Sequence, residues 1–316
     1  MKFKENIILS QFSSYKIGGP ARYFFDAKNI ADLRRALEYA EEKKLVVFVL
    51  GGGTNLLIND KGFDGLVIKS SFDSMEISGE RIRAGAGVLM EDLLGFAIKH
   101  GFSGLEWAGG LPGTLGGAIR GNAGAFGGEI KDNVETVESF DIPGFSPRTR
   151  DFPECRFGYR SSIFKERNGE EVVLATTLKL AKGDSRKIKK ATQEKIDYRL
   201  SRHPMEYPNI GSIFKNVDLK LIPKEAGSRV EKAVKTDPFP VVPTAYLISE
   251  VGLKGVSYGG AMISPKHPNF IVNVLGATCS DVQSLILLAK AEVKKEFGIE
   301  LEQEVESLSA KDEIHR

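Results

Sequence analysis

Three short stretches hold residue types suited to acid–base or electrostatic chemistry: "FGYRSS" at 157–162, "GSIFKN" at 211–216 and "LEQEV" at 301–305. The first offers Arg160 beside Tyr159, the second Ser212 with Lys215 and Asn216, and the third Glu302 and Glu304. Arginine binds a carboxylate bidentately and stabilises charge developing on it. A serine with a lysine beside it can deliver a proton, and a glutamate can orient a group, or act as an acid when burial raises its pKa. Glu302 and Glu304 point the same way if their segment is extended. These residues make no Ser-His-Asp triad, and by composition alone each type is usually a surface group. Cys155 lies just before Arg160, which keeps a reactive thiol in view. The ordinary reading of Cys155 and Cys279 is two reduced thiols, because no CxxC pair exists. His100, His203, His267 and His315 show no HExxH-type spacing, so no metal is expected.

Glycine marks a second kind of candidate. In "VLGGGTNLL" at 49–57 an apolar run ends in Gly51, Gly52, Gly53, Thr54 and Asn55. A strand entering such a turn suits diphosphate binding through backbone N–H groups. It is not a Rossmann fingerprint, since Leu56 stands where the third glycine belongs. It is not a Walker loop, since no Gly-Lys-Ser/Thr follows. Alone, it is as readily a structural turn. Residues 104–128 add two more Gly-rich turns, "GGLPGTLGGA" and "GNAGAFGG", too dense in glycine for regular helix or strand. Interleaved Leu, Ala, Ile, Trp and Phe set this stretch apart from a flexible polar linker. Together the turns imply one extended ligand, of flavin-dinucleotide size, held between two lobes.

The elements that must position these residues can be read from periodicity. The chain has 316 residues, 41% of them hydrophobic, enough for two or three domains. Ile30, Leu33, Leu37 and Ala40 share a helical face after a plausible N-cap at Asn29. "LVVFVL" and "GLVIKS" read as buried strands, and "VLMEDLLGFAIKHG" as a helix closed by Gly101. "EVVLATTLKLA" alternates like a strand, and "SRKIKKATQEKIDYRLSRHP" is a basic helix, either with a solvated face or forming a basic rim that attracts a phosphorylated substrate. The clearest helix lies in "CSDVQSLILLAKAEVKKEFG", with Val282, Leu285, Ile286, Ala289, Val293 and Phe297 inward, a capping box at Ser280 and Gln283, and Gly298 at its end. Boundaries near 70, 200 and 300 divide the chain into 1–70, 71–199 and 200–300, with 301–316 packing back on the second part. Lys and Arg total 44 against 42 Asp and Glu, a net charge of +2, which gives no argument for a nucleic-acid or membrane partner. The N-terminus reads as neither signal peptide nor transmembrane span, making the cytoplasm the default compartment.

Taken together, "SSYKIGGPARYF", "LGGGTNLL", "GLPGTLGGA", "NAGAFGGEI", "FGYRSS", "GSIFKN", "GLKG", "SPKHPNFIVN" and "FGIELEQEV" resemble the UDP-N-acetylenolpyruvoylglucosamine reductase family, in the family's order, over roughly residues 13–305. The resemblance implies a three-domain α+β fold. Two FAD-binding lobes of the vanillyl-alcohol-oxidase type would carry a third, substrate-binding domain. It implies non-covalent FAD held by Gly51, Gly52, Gly53, Thr54 and Asn55, by Gly109, Gly110, Leu111, Pro112, Gly113, Thr114, Gly116 and Gly117, and by Asn122, Ala123 and Gly124. It also implies NADPH as reductant and a UDP-sugar enolpyruvyl ether as substrate, in peptidoglycan precursor synthesis. Arg160, Ser212 and Glu304 match the family's catalytic positions. Hydride from flavin N5 would add to C3, Arg160 and a protonated Glu304 would stabilise charge at the carboxylate, and Ser212 would protonate C2. Tyr159, Lys215 and Asn216 would line the substrate pocket, with Lys215 able to assist Ser212.

The chain departs from the family at His203, usually Gln, at Val217, commonly Pro, and at Gln303, usually Pro. Its 217–244 segment is longer than usual, and "FGYR" suggests the shorter family variant. Two alternatives stay open: an FAD oxidase of a small alcohol or sugar, and a non-catalytic flavin or sugar-nucleotide binding module. Residues 104–128 hold no His or Cys to tether a flavin, which weighs against the first. The presence of all three catalytic candidates weighs against the second.

Overall fold

The computed structural model describes residues 3–236 and 239–309. Its first layer is a four-stranded sheet in the order Lys4–Ile8, Pro20–Ala27, Phe63–Ser70, Val47–Leu50. The first pair is antiparallel and the other two are parallel. Parallel neighbours need a covering crossover. The helix Ile30–Glu42 supplies it, burying Leu33, Ala36, Leu37 and Ala40. Its Asn29 side chain accepts from the Asp32 N–H at 2.9 Å, as an N-cap should. Ile30, expected on the inner face, is exposed. Helical side chains lean toward the N-terminus, so this first-turn residue overhangs the helix end.

A five-stranded antiparallel sheet follows, in the order Ser146–Asp151, Val134–Asp141, Glu171–Lys179, Arg81–Gly85, Met75–Ser78. The helix Met90–Lys99 and the stretch 104–128 belong to its core, which includes Leu93, Phe102, Trp107, Leu115 and Ile119. Glycine density did not exclude regular structure in that stretch. Leu115–Gly121 is a short helix, because Thr114 caps the Gly117 N–H and Leu115, Ala118 and Ile119 are buried beneath it. The basic helix spans Ser185–Arg202 and buries only Ile188 and Thr192.

The third core gathers around the helix Cys279–Phe297, whose six expected apolar residues are all buried. Its capping box is Thr278 with Asp281, two residues ahead of the one expected, and Asp60 accepts the Cys279 N–H at 2.8 Å. Extended backbone at Thr278 puts its hydroxyl, not that of Ser280, over the first turn. A three-stranded sheet, Ser257–Tyr258, Ala261–Ile263 and Ile271–Asn273, lies against this helix. Tyr15 and Ile17, from the N-terminal part, are buried in this core, and the Tyr15 hydroxyl donates to the Ile271 carbonyl at 2.8 Å.

The C-terminal segment was expected to return to the second part. Its backbone pairs instead with the first: Glu306–Leu308 runs parallel to Leu56–Ile58. That pairing puts Leu308 into the same buried cluster as Leu9, Phe24 and Leu56. Side chains reach the second part, Glu306 to Arg120 and Lys165, and Glu304 to Arg160. Among the described residues no helix is long and apolar enough to cross a membrane.

Candidate active site

One cavity of about 860 Å³ opens where the three parts meet, near the top of the ~300–1,000 Å³ usual for small-ligand sites. Its first wall is the turn between the strands Val47–Leu50 and Leu56–Ile58, with Gly51, Gly52, Gly53, Thr54 and Asn55 all lining it. Gly53 has φ +62°, which glycine adopts without steric cost. The second wall is Gly110, Leu111, Pro112, Gly113, Thr114, Gly116 and Gly117, continued by Ala123 and Gly124. The two walls touch: a Cβ on Gly52 would stand 2.8 Å from the Gly113 Cα.

Arg160, Ser212 and Glu304 line the same cavity. Main-chain pairing brings two of them together, since Glu304 N–H donates to the Ile213 carbonyl at 2.8 Å and Lys215 N–H to the Glu302 carbonyl at 2.9 Å. This lays "LEQEV" along "GSIFKN" and sets Glu304 opposite the residue after Ser212. Arg160 joins them by side chain: its Nε donates to Glu304 Oε1 at 2.7 Å and its Nη2 to the Gly124 carbonyl at 3.0 Å. Burial opposes the guanidinium charge, but Glu304 beside it outweighs that and holds its pKa above the usual value. Tyr159 lies 5.2 Å under the Arg160 guanidinium, its phenol pKa raised mainly by burial. Among the described residues the Ser212 hydroxyl makes no hydrogen bond to another protein group, and Asn216 lies on the same wall.

The glycines on both walls suit a flavin dinucleotide, because they let backbone N–H groups approach a ligand closely. The charges suit it too. Four cations line the cavity: Arg120, Arg160, Lys165 and Arg199. Glu304 and Glu306 neutralise two, and the third lining carboxylate, Glu171, is held by Arg150 at 2.7 and 2.8 Å. Arg199 donates through Nε to the Gly109 carbonyl at 2.8 Å, while its buried Nη2 has no partner among the described residues. Such an orphan calls for an anion or acceptor from a ligand.

Comparison with known proteins agrees with this geometry. Residues 21–144 match the FAD binding domain family, and residues 203–308 match the family described as UDP-N-acetylenolpyruvoylglucosamine reductase, C-terminal domain. The reductase of that name from Carboxydothermus hydrogenoformans is 38% identical over 308 residues, covering 96% of this chain and 93% of its own. That of Solibacter usitatus is 35% identical over 298 residues, covering 94% of each. The crystal structure of the reductase from Thermus caldophilus superposes with a TM-score of 0.77 at 30% identity, covering 98% of this chain and 100% of that one.

The chain belongs to the UDP-N-acetylenolpyruvoylglucosamine reductase family. It has the family's α+β fold, an FAD binding domain followed by the reductase's C-terminal domain.

Three residues matched to the family's site lie behind the cavity wall. Gly109 turns its carbonyl to Arg199. Asn122, fully buried with φ +42°, donates to the Gly158 carbonyl at 2.8 Å and so ties the Gly-rich wall to the Arg160 turn. The Lys215 ammonium is paired with Glu302, away from Ser212. Conversely, Arg120, Lys165, Arg199, His203 and Glu306 line the cavity without having been singled out for it. The spacing of Arg199 and His203, four residues apart at the end of the basic helix, was the available sign that one face points inward. His203 is held near pKa 4 by burial and then by His267 at 5.2 Å, so it is neutral at pH 7. Cys155 is fully buried and burial pushes its thiol up to about 12, which removes it as a nucleophile. Among the described residues no cluster of His, Cys, Asp and Glu could hold a metal ion.

Proposed function

We propose that this chain uses NADPH to reduce the enolpyruvyl ether of UDP-N-acetylglucosamine to UDP-N-acetylmuramate, in cytoplasmic peptidoglycan precursor synthesis. The observation that carries this reading is the pairing of "GSIFKN" with "LEQEV", which sets Ser212 beside the Arg160–Glu304 pair on one cavity wall. We divide the chain at about residues 70, 200 and 300 accordingly, into two FAD lobes, a substrate-binding part and a returning C-terminal segment. Non-covalent FAD would be held by the Gly51–Asn55 turn and the Gly110–Gly117 wall, and what it supplies when bound is hydride transfer from NADPH to the alkene carbon C3.

The chain's own residues handle charge and proton. Two of the five N–H donors of Arg160 are taken by Glu304 and Gly124. The remaining three face a substrate carboxylate whose negative charge grows as C3 is reduced. Glu304 fixes the direction of that guanidinium. Ser212, whose hydroxyl has no partner among the described residues, donates its proton to C2 and completes the D-lactyl ether. Such acid catalysis is typically worth ~10²–10⁴-fold. Tyr159 and Asn216 bound the sugar-nucleotide side of the pocket.

The test is direct. Purified protein should show flavin absorbance lost on denaturation and separation, and NADPH oxidation that depends on the enolpyruvyl UDP-sugar, with a product two mass units heavier. Flavin that stays attached, with turnover of a small alcohol or sugar, would overturn the proposal in favour of an oxidase. Flavin without any turnover would favour a binding module.

A further inference from the structure

The turn that carries Arg160 is strained. Gly158 N–H donates to the Ser161 carbonyl at 3.0 Å and Ser161 N–H returns to Gly158 at 3.2 Å, so Tyr159 and Arg160 form a two-residue loop. Arg160 has φ +54°. A non-glycine residue in that region is strained and persists only where its surroundings over-determine it.

Part of that constraint lies at the residue's carbonyl. Lys165, on the short helix Ile163–Glu166, donates its Nζ to the Arg160 carbonyl at 3.2 Å. The same ammonium lies 3.8 Å from Glu306 Oε1. Glu306 is ion-paired with Arg120, whose Nη2 donates to Asn168 Oδ1 at 2.9 Å. Ser162 Oγ donates to the Arg120 carbonyl at 2.7 Å. Glu306 N–H donates to the Asn55 carbonyl at 3.1 Å, and Asn55 Nδ2 to the Glu304 carbonyl at 3.2 Å. These bonds join the Arg160 turn, the end of the helix Leu115–Gly121, the glycine turn and the strand bearing Glu304. Burial lowers the pKa of the Lys165 ammonium, with Glu306 opposing the shift. A long, half-buried cation is thus kept at one place by two oxygen partners.

We propose that Lys165, with Glu306 and Arg120, is a positioning cluster that holds the strained Arg160 turn against the Glu304 strand. The inference rests on the reading of Arg160 and Glu304 given above. Lys165 acts through Arg160: it fixes the carbonyl, which fixes where the guanidinium points. Misplacing a group by about 1 Å can cost ~10²-fold in rate.

A double-mutant cycle on the FAD-loaded protein separates this from direct contact with a ligand. Reduced enzyme is mixed with the enolpyruvyl UDP-sugar, and flavin reoxidation is followed in Lys165→Met, Arg160→Met and the double variant. Lys165→Met should slow reoxidation roughly 10- to 100-fold when Arg160 is present and by less than about 2-fold when it is absent. Reduction by NADPH should change less than about 3-fold, and Lys165→Arg should restore most of the loss. If Lys165→Met does not retain FAD, the cycle is run with Lys165→Gln. An equal loss in both backgrounds overturns the cluster while leaving the site reading intact. If Arg160→Met itself reoxidises at the parental rate, the site reading fails and the cluster falls with it.

Discussion

The contact between the two glycine walls gives a sharp perturbation, Gly52→Ala. The added Cβ would stand 2.8 Å from the Gly113 Cα and 3.3 Å from both the Gly113 carbonyl carbon and the Thr114 nitrogen. All three are backbone atoms and cannot rotate away. Relief requires the walls to part by roughly 1 Å, toward the ~3.5–4.0 Å of ordinary carbon contacts. Overpacking of this kind costs about 1–3 kcal/mol. If the walls stay together, the cost falls on the folded state and lowers the unfolding midpoint. If they part, it falls on FAD affinity, as a roughly 5- to 150-fold rise in Kd. Apoprotein is titrated with FAD by fluorescence, and thermal unfolding is followed with and without cofactor. Gly95→Ala is the control: its Cβ meets nothing within 4 Å in the helix Met90–Lys99, so it should stabilise by about 0.5–1 kcal/mol. If Gly52→Ala leaves both midpoint and Kd unchanged, the walls are not apposed as described.

Other outcomes follow from the charges. Arg150→Met removes two of the hydrogen bonds to the Glu171 carboxylate, whose side chain is 0% exposed, and leaves it Arg167 at 3.0 Å and Ser139 at 2.6 Å; it should cost about 1–3 kcal/mol in denaturant unfolding, and no loss would contradict the pairing. His203 and His267 are both held near pKa 4, chiefly by burial. Their folded values lie below the unfolded ~6.5, so stability is fully present above that pH and is lost as pH falls toward 4. His203→Gln should flatten the stability–pH curve in that window, and an unaltered curve would contradict the burial argument. Cys155, with its thiol near 12, should resist thiol reagents in native protein and react only on unfolding, as a timed labelling experiment would show.

Much of the fold was legible because its elements bury clean stripes. The long helix Cys279–Phe297 and the strands Val47–Leu50 and Phe63–Ser70 follow directly from their apolar runs. Asn29 was readable as a cap, whereas Thr278 was not, since the competing hydroxyl of Ser280 lies only two residues on. The short helix after Thr114 was hidden because its glycines score against helix while tertiary packing overrides propensity. The site was readable where motif residues also face the cavity, as Arg160, Ser212 and Glu304 do. It was unreadable where a residue's role depends on which way its side chain turns. Lys215 turns to Glu302, and Arg199 turns inward from a helix that reads as solvated. The Arg120–Glu306 pair joins residues 186 positions apart, which no local pattern announces.

The central claim is that Ser212 delivers the proton beside the Arg160–Glu304 pair. Ser212→Ala protein, loaded with FAD and reduced anaerobically by NADPH, is mixed with the enolpyruvyl UDP-sugar in a single turnover. The account predicts reduction by NADPH at close to the parental rate and reoxidation slowed by ~10²–10⁴-fold or more. Reoxidation within a few-fold of the parental rate, yielding the same product, would contradict it.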